Sequence, residues 1–180
     1  MEKLEVELQY KYELVNNWLK YAETKNSAVL VFTVAIITLI MNSINDNNMN
    51  SYMSINSKIL LTFMSLACLV SLKSFLPKLK LDINNKKDIS NNDNLHYFNH
   101  LSKYTPEQLI DAMSLQYYED AFGDLKNKYN IDLANQIVIN SNIAVRKFKH
   151  FKCAAYLVFV GIVVFSLIST LLSLFGGSLC

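Results

Sequence analysis

The stretch Cys153-Ala-Ala-Tyr-Leu-Val-Phe-Val-Gly-Ile-Val-Val-Phe-Ser-Leu-Ile-Ser-Thr-Leu-Leu-Ser-Leu-Phe175 decides the fold. It carries no charged side chain and is closed by Gly176-Gly177. About 20 apolar residues, at 1.5 Å each, cross the roughly 30 Å of hydrocarbon in a bilayer, so this run is long enough to span one as a helix. A second run, Ser27-Ala-Val-Leu-Val-Phe-Thr-Val-Ala-Ile-Ile-Thr-Leu-Ile-Met41, lies in a charge-free stretch from 26 to 45. A third, Ile59 to Leu76, is interrupted by Lys73, whose stem stays apolar while its ammonium reaches the headgroups. The residues before the first span carry five acids and no small-x-small cleavage pattern follows, which reads against a signal peptide.

The composition agrees. The chain has 180 residues, 52% hydrophobic and only 18% charged, against about 25% charged in soluble domains. Four Gly and two Pro leave little with which to build phosphate-cradling loops, and no P-loop, G-x-G-x-x-G or G-x-S-x-G is present. A Rossmann or TIM-barrel enzyme is excluded, and an enzyme of any kind is not expected. A net charge of +2 does not argue for nucleic acid. Cys68, Cys153 and Cys180 sit in or at the ends of the apolar runs and suggest neither a disulfide framework nor a zinc site. Acylation of Cys153 beside Lys152 is the less favoured reading; a small apolar residue in a membrane helix accounts for it.

Basic residues orient the chain. Residues 1–25 hold four Lys, the loop 43–57 holds no Lys or Arg, and residues 73–152 hold twelve basic groups. The expected organisation is therefore a cytoplasmic N-terminal helix (1–26), a first transmembrane helix (27–44), an external loop (45–57), a second transmembrane helix (58–76), a cytoplasmic helical region (77–151), a third transmembrane helix (152–176) and an external tail (177–180). The fold class is an all-α membrane protein: three transmembrane helices with a cytoplasmic helical bundle, its long helices continuous from cytoplasm into membrane. Leu4, Leu8, Tyr12, Val15, Trp18, Leu19 and Ala22 recur at helical spacing and join the first span without a break. Thr105-Pro106-Glu107-Gln108 starts another helix as a capping box with Pro at N1. A last helix is expected from about Asp132, through Leu133, Ile137, Ala144, Phe148 and Phe151, into the third span. The Asn-rich segment 82–94 reads as a loop with little to bury.

His96 and His100 stand four apart and would share a helical face, yet no third ligand is near, so no metal and no cofactor are expected. Tyr97, Tyr104, Tyr117, Tyr118 and Tyr129 are close in sequence; aromatic faces beside Arg or Lys can stack a base and hold a phosphate, and equally serve as bundle core. The group Arg146, Lys147, Lys149 and Lys152, where a helix meets the membrane, suits anionic lipid. The spans contain no acid, which argues against a coupled transporter. Thr33, Thr38, Thr62, Ser65, Ser71, Ser166, Ser169 and Thr170 suit helix–helix contacts and homo-oligomeric assembly.

Two segments resemble a known family. Trp18-Leu-Lys-Tyr-Ala22-Glu23-Thr-Lys25, directly before a membrane helix, is similar to the W-x-x-x-A-D-x-K signature of the Pycsar effector transmembrane proteins, with Glu23 for the usual Asp and Asn26 for the usual small residue. The aromatic pair Tyr97-Phe98 follows the second span, and Asp132 … Gln136-Ile137 … Ser141-Asn-Ile-Ala144 … Lys147-Phe148 resembles the pattern that enters the family's third span. Two-helix SLATT effectors are the nearest group of similar appearance; the third span favours the first family. The resemblance implies a bacterial inner-membrane effector of antiphage defence, functionally linked to a pyrimidine cyclase. A cyclic pyrimidine nucleotide, cyclic CMP or cyclic UMP, would trigger it to impair membrane integrity and arrest or kill the infected cell. The alternative is a non-pore membrane scaffold or regulatory subunit that recruits a cytoplasmic partner. Trp18, Glu23, Lys25, Tyr97, Asp132, Gln136, Arg146 and Lys147 are the ligand or latch candidates, with Trp18, Glu23 and Lys25 expected to pack against the 132–147 helix; the partners expected are the nucleotide, the lipid bilayer and further copies of the chain.

Overall fold

The computed structural model describes residues 2–44, 50–76, 89–117 and 126–176. They form five helices, α1 (Glu2–Ile44), α2 (Ser51–Phe75), α3 (Phe98–Leu101), α4 (Pro106–Tyr117) and α5 (Lys128–Gly176), with no strand among the described residues. The protein is an all-α membrane protein, and three of these helices are long and apolar enough to cross a bilayer: Lys3–Ile44, Ser51–Phe75 and Lys128–Leu174. Residues 82–88 of the expected Asn-rich loop, and Tyr118, lie outside the described residues.

Local chemistry sets the helix ends. No Gly or Pro occurs before Pro77, so nothing interrupts α1 over its 43 residues. Asn50 caps α2, its side chain accepting from the Tyr52 N–H at 3.2 Å. At the other end Leu76 is extended (φ −68°, ψ 128°), because the ring of Pro77 disfavours a helical residue before it. At α4 the Thr105 N–H donates to Gln108 Oε1 (2.9 Å) and the Gln108 N–H to Thr105 Oγ1 (3.3 Å), the reciprocal capping box that the sequence predicts. The last helix begins earlier than expected, at Lys128 rather than Asp132. Asn127 is the reason: its Oδ1 accepts from the Asn130 N–H at 2.8 Å and starts the helix there.

The chain divides into two compact units. The polar unit comprises residues 1–22 and 77–148. Its core joins Leu4, Leu8 and Val15 of α1, Leu95, Leu101 and Tyr104 of the 89–105 segment, Leu109, Ile110 and Met113 of α4, and Ala134, Ile137 and Val138 of α5. Asn140 Nδ2 donates to Asn16 Oδ1 at 2.9 Å across two of these helices. Tyr12, expected on the buried stripe of α1, packs against the core only in part, and Lys11 lies fully buried in the stripe beside it.

Asp93, in the 82–94 stretch where the sequence predicts little burial, organises residues 89–105. It is nearly inaccessible, and both its oxygens are occupied. Oδ1 accepts from Lys103 Nζ at 2.7 Å; Oδ2 accepts from the Ser90 N–H at 3.1 Å and from the Tyr104 hydroxyl at 3.3 Å. His100 Nδ1 lies 3.6 Å from Oδ1 and accepts the Asn94 N–H at 2.8 Å. Burial by itself would raise the Asp93 carboxyl, but the hydrogen bonds from Lys103 and Ser90 and the charge of Lys103 outweigh it, and hold the group below the usual range. Tyr104 is pushed up to about 12, by burial first and then by the Asp93 charge and hydrogen bond.

The apolar unit comprises residues 23–76 and 149–180. Ile40, Leu60 and Met64 form its centre, with Ile36, Ile37, Ile44, Leu61, Val158 and Phe165 packed around them. Large apolar side chains face outward instead of inward, among them Val31, Leu39, Leu69, Phe159, Leu167 and Leu174, the distribution expected of helices solvated by lipid. The polar residues Asn56, Ser57, Ser71 and Ser74 are buried on α2. Asn56 Nδ2 donates to the Phe165 carbonyl (3.1 Å) and to Ser169 Oγ (2.9 Å), tying α2 to α5. Further along the same pair, Gly161 faces Phe63: a Cβ on residue 161 would lie 2.7 Å from Phe63 Cβ, too close for any side chain.

Gly161→Ala is expected to cost about 1–3 kcal/mol by overpacking the α2–α5 contact, seen as a lower melting temperature in detergent than for the parent. Asp93→Asn is expected to cost about 1.5–3 kcal/mol, the range of a hydrogen bond to a charged group. Because the folded-state value of Asp93 is depressed, its contribution is complete above the unfolded value near 3.8 and is lost as the pH falls through the lower folded value. The parent should therefore lose stability over that acid window, and Asp93→Asn should show a flatter acid limb in unfolding measured against pH.

Candidate functional site

The candidate site is an aromatic cluster in the polar unit, built by α1, α3 and α5. Phe98 is its centre. The ring of Phe98 stacks on Phe148 of α5 (centroids 5.0 Å apart, planes 26° apart) and lies 5.3 Å from Trp18 of α1. Trp18 also meets Phe148 at 6.3 Å and Tyr21 at 6.2 Å, and Tyr21 meets Phe148 at 6.1 Å. Tyr97 sets its ring edge-on to Phe98 at 4.9 Å and to His100 at 5.3 Å. Such pairs contribute roughly 0.5–1.5 kcal/mol each beyond their buried area.

The position of Phe98 follows from its surroundings. Tyr97 is extended (φ −105°, ψ 118°) and α3 is a single turn, so Tyr97 and Phe98 turn in succession toward the cluster. That turn is held by the Asp93 network and by Asn94, whose Oδ1 accepts the His96 N–H at 2.9 Å and whose carbonyl accepts the Tyr97 N–H at 3.0 Å. Beside Trp18 a shallow groove of about 410 Å³ is lined by Leu14, Asn17, Trp18 and Tyr21. The indole N–H of Trp18 is buried with no hydrogen-bond partner among the described residues. The arrangement offers aromatic faces, an amide and a phenol at one surface, chemistry suited to a planar heterocycle.

A second cluster surrounds Lys11. Its Nζ lies 3.0 Å from Glu7 Oε1 and 5.1 Å from the centre of the Tyr117 ring. The His96 ring stands 6.1 Å from Tyr10 and 6.0 Å from Tyr117. Burial holds the Lys11 ammonium below the usual lysine range against the opposing pull of Glu7, and burial followed by the Lys11 charge lowers His96. His96 and His100 therefore do not share a helical face. α3 starts at Phe98, after His96, and the two imidazoles belong to different neighbourhoods, one among tyrosines and one beside Asp93.

Of the residues singled out in the sequence, Trp18 and Tyr97 come together through Phe98. Asp132 and Gln136 are exposed on α5, Arg146 is half-buried and Lys147 is buried. Glu23 and Lys25 belong to the apolar unit, where Lys25 Nζ lies 4.9 Å from the Phe151 ring centre. Sequence reasoning missed Phe148 and Lys11 as site residues. Phe148 shows in the sequence as a member of a core stripe and of the family pattern, and nothing there marks its stacking on Phe98. Lys11 was detectable, since it completes the 4–8–11–15 spacing of the buried face.

Trp18→Ala is expected to destabilise the polar unit by about 3 kcal/mol, the lower end for truncating a tryptophan, while Trp18→Phe retains most of the stacking. Denaturant unfolding followed by far-UV circular dichroism checks the order parent, Trp18→Phe, Trp18→Ala.

A family model described as the Pycsar effector protein domain matches residues 7–174. The Pycsar effector protein RsPycTM of a Rhizobium species is 31% identical over 143 residues, covering 77% of this chain and 79% of the relative. No solved structure matches the chain. With the match extending from the polar N-terminal helix to the end of the last apolar helix, this chain belongs to the Pycsar effector family of membrane proteins.

Proposed function

We propose that this protein is an antiphage defence effector of the bacterial inner membrane, triggered by cyclic CMP or cyclic UMP to impair membrane integrity and arrest or kill the infected cell. The observation that carries the reading is the family match over residues 7–174, which takes in all but the first residues of the polar unit and reaches through all three candidate spans. The excess of Lys and Arg in residues 1–25 and 73–152 supports a cytoplasmic N-terminus and an external C-terminus. The polar unit would then meet a nucleotide made in the cytoplasm, and a pyrimidine cyclase is the functional partner.

The cluster around Trp18 is the proposed place for the base. Stacking on an aromatic side chain contributes about 1–3 kcal/mol per base and needs no particular hydrogen-bond pattern. Discrimination would come from polar groups beside the rings, here Asn17 and Tyr21 in the groove. Arg146 and Lys147 are the proposed basic partners of a cyclic phosphate, with Asp132 and Gln136 further along the same helix. Glu23 and Lys25 are the proposed latch residues of α1. A nucleotide acts as a switch only if it binds one arrangement of these parts better than another. The spans would act as an assembly of several copies, since three helices of this polarity do not enclose a pore.

Trp18 is the single tryptophan of the chain, so its fluorescence reads the cluster directly. Titration of the detergent-solubilised protein with cyclic CMP, cyclic UMP, cyclic AMP and cyclic GMP should give saturable quenching with a pyrimidine nucleotide and none with the purine ones. Cells carrying the effector should depolarise when a pyrimidine cyclase is co-expressed. No quenching by either pyrimidine nucleotide would remove the cluster as the site. Unchanged membrane potential, with a cytoplasmic protein co-purifying, would favour the scaffold reading.

A further inference from the structure

The polar residues of the apolar unit are distributed unevenly in their hydrogen bonding. The exposed hydroxyls turn back onto their own helix: Thr38 Oγ1 donates to the Val34 carbonyl (3.0 Å), Ser43 Oγ to Leu39 (3.0 Å), Thr62 Oγ1 to Lys58 (3.0 Å) and Thr170 Oγ1 to Ser166 (2.8 Å). A hydroxyl facing hydrocarbon has no other acceptor, and the back-bond removes most of the cost. Buried Ser71 behaves differently. Its Oγ is inaccessible and has no hydrogen-bond partner among the described residues, although the carbonyl one turn earlier is within reach of a serine rotamer. Asn56, 1% exposed, satisfies its Nδ2 twice and leaves Oδ1 without a partner among the described residues. Both polar groups sit where desolvation is costly, and no hydrogen bond among the described residues offsets it.

These residues form one face. Asn56, Ser57, Leu60, Met64, Ala67, Ser71 and Ser74 are the buried residues of α2, at three- and four-residue spacing. Ile55, Leu66, Leu69 and Leu72 are exposed on the same helix. From Asn56 to Ser74 the face rises about 27 Å, close to the thickness of a hydrocarbon core. Its two ends are polar and its middle is apolar, where Leu60 and Met64 close on Ile40 of α1. The charged residues of α2, Lys58 and Lys73, are exposed and off this face. A polar–apolar–polar order along one uncharged stripe is the pattern of a water path shut by a short dry plug, and such a plug gates by excluding water.

We propose that this face of α2 lines the path by which water and ions cross the membrane when the effector is active, with several copies each contributing one α2, and that the packing of Leu60 and Met64 against Ile40 is the closed gate. The inference rests on the membrane-impairing reading above. Opening would hydrate Asn56 Oδ1 and Ser71 Oγ, which offsets part of the cost of parting the apolar side chains at the plug. With no fixed charge on the lining, the leak passes anions and cations alike.

The test uses the full chain in vesicles of phosphatidylethanolamine and phosphatidylglycerol loaded with an anionic dye. Met64→Ser wets the plug and should release dye several-fold faster than the parent without any nucleotide. Leu69→Ser, which places the same hydroxyl on the exposed side, should match the parent. Equal leak from the two variants, or none from Met64→Ser, overturns the proposal. A second readout covers a Met64 variant that fails to fold: Ser71→Cys in a chain with its native cysteines replaced by alanine, treated with a charged, water-soluble thiol reagent in the presence of cyclic CMP or cyclic UMP. Labelling confined to the nucleotide-treated sample supports the path. If the parent releases dye with a nucleotide while Ser71→Cys stays unlabelled, the path is wrong and the function stands. If Met64→Ser leaks but neither nucleotide opens the parent, the path stands and the trigger is wrong.

Discussion

A polar atom in hydrocarbon has no water to bind, and this constraint organises the apolar unit. Hydroxyls that face outward direct their hydrogen bonds to their own backbone. The amide of Asn56 has too many polar atoms for that and reaches across to α5, where the Phe165 carbonyl and Ser169 receive it. The helices must then come close, and Gly161, with no side chain, lets Phe63 approach at a distance no Cβ would tolerate. Small residues and the interhelical amide of Asn56 thus take the place that apolar burial has in water, because lipid tails compete equally for apolar surface.

The polar unit solves a different problem. Its residues 89–105 are rich in Asn and poor in periodic apolar residues, so neither helix propensity nor a hydrophobic stripe would order them. A single buried carboxylate does. Asp93 gathers Ser90, Lys103 and Tyr104, with His100 alongside, and the turn that results presents Tyr97 and Phe98 to the aromatic cluster. A buried charge is costly unless it is paired and hydrogen-bonded, and here Lys103 pairs with it while Ser90 and Tyr104 donate to its other oxygen. The same burial, with the Asp93 charge beside it, pushes Tyr104 upward, so its hydroxyl keeps the proton it donates to Asp93.

Aromatic packing at Trp18 joins three elements that are remote in sequence. Rings are suited to such a site because they pack tightly and still present a face to which another ring can bind. Lys11 shows the complementary choice, a cation kept in an apolar stripe beside Glu7 and covered by Tyr117. Its lowered proton affinity is the physical signature of that burial.

The spans were legible in the sequence because a bilayer imposes length and excludes charge, and both are properties of a string of residues. The capping box at Thr105 and the stop before Pro77 were legible for a similar reason: their atoms lie within a few residues of one another. The family, too, was readable from Trp18 to Lys25 and from Asp132 to Phe148. What tertiary structure alone decided was which side chains share a space. His96 and His100 look like a pair by spacing, but helix α3 starts between them and sends them apart. Asp93 looks like one more polar loop residue until Lys103 and Tyr104 fold back onto it. The polar side of α2 is inside rather than outside because its neighbours, not its own sequence, supply the surface that covers it. Periodicity tells which residues lie on one face; only the packed partners determine whether that face meets lipid, protein or water.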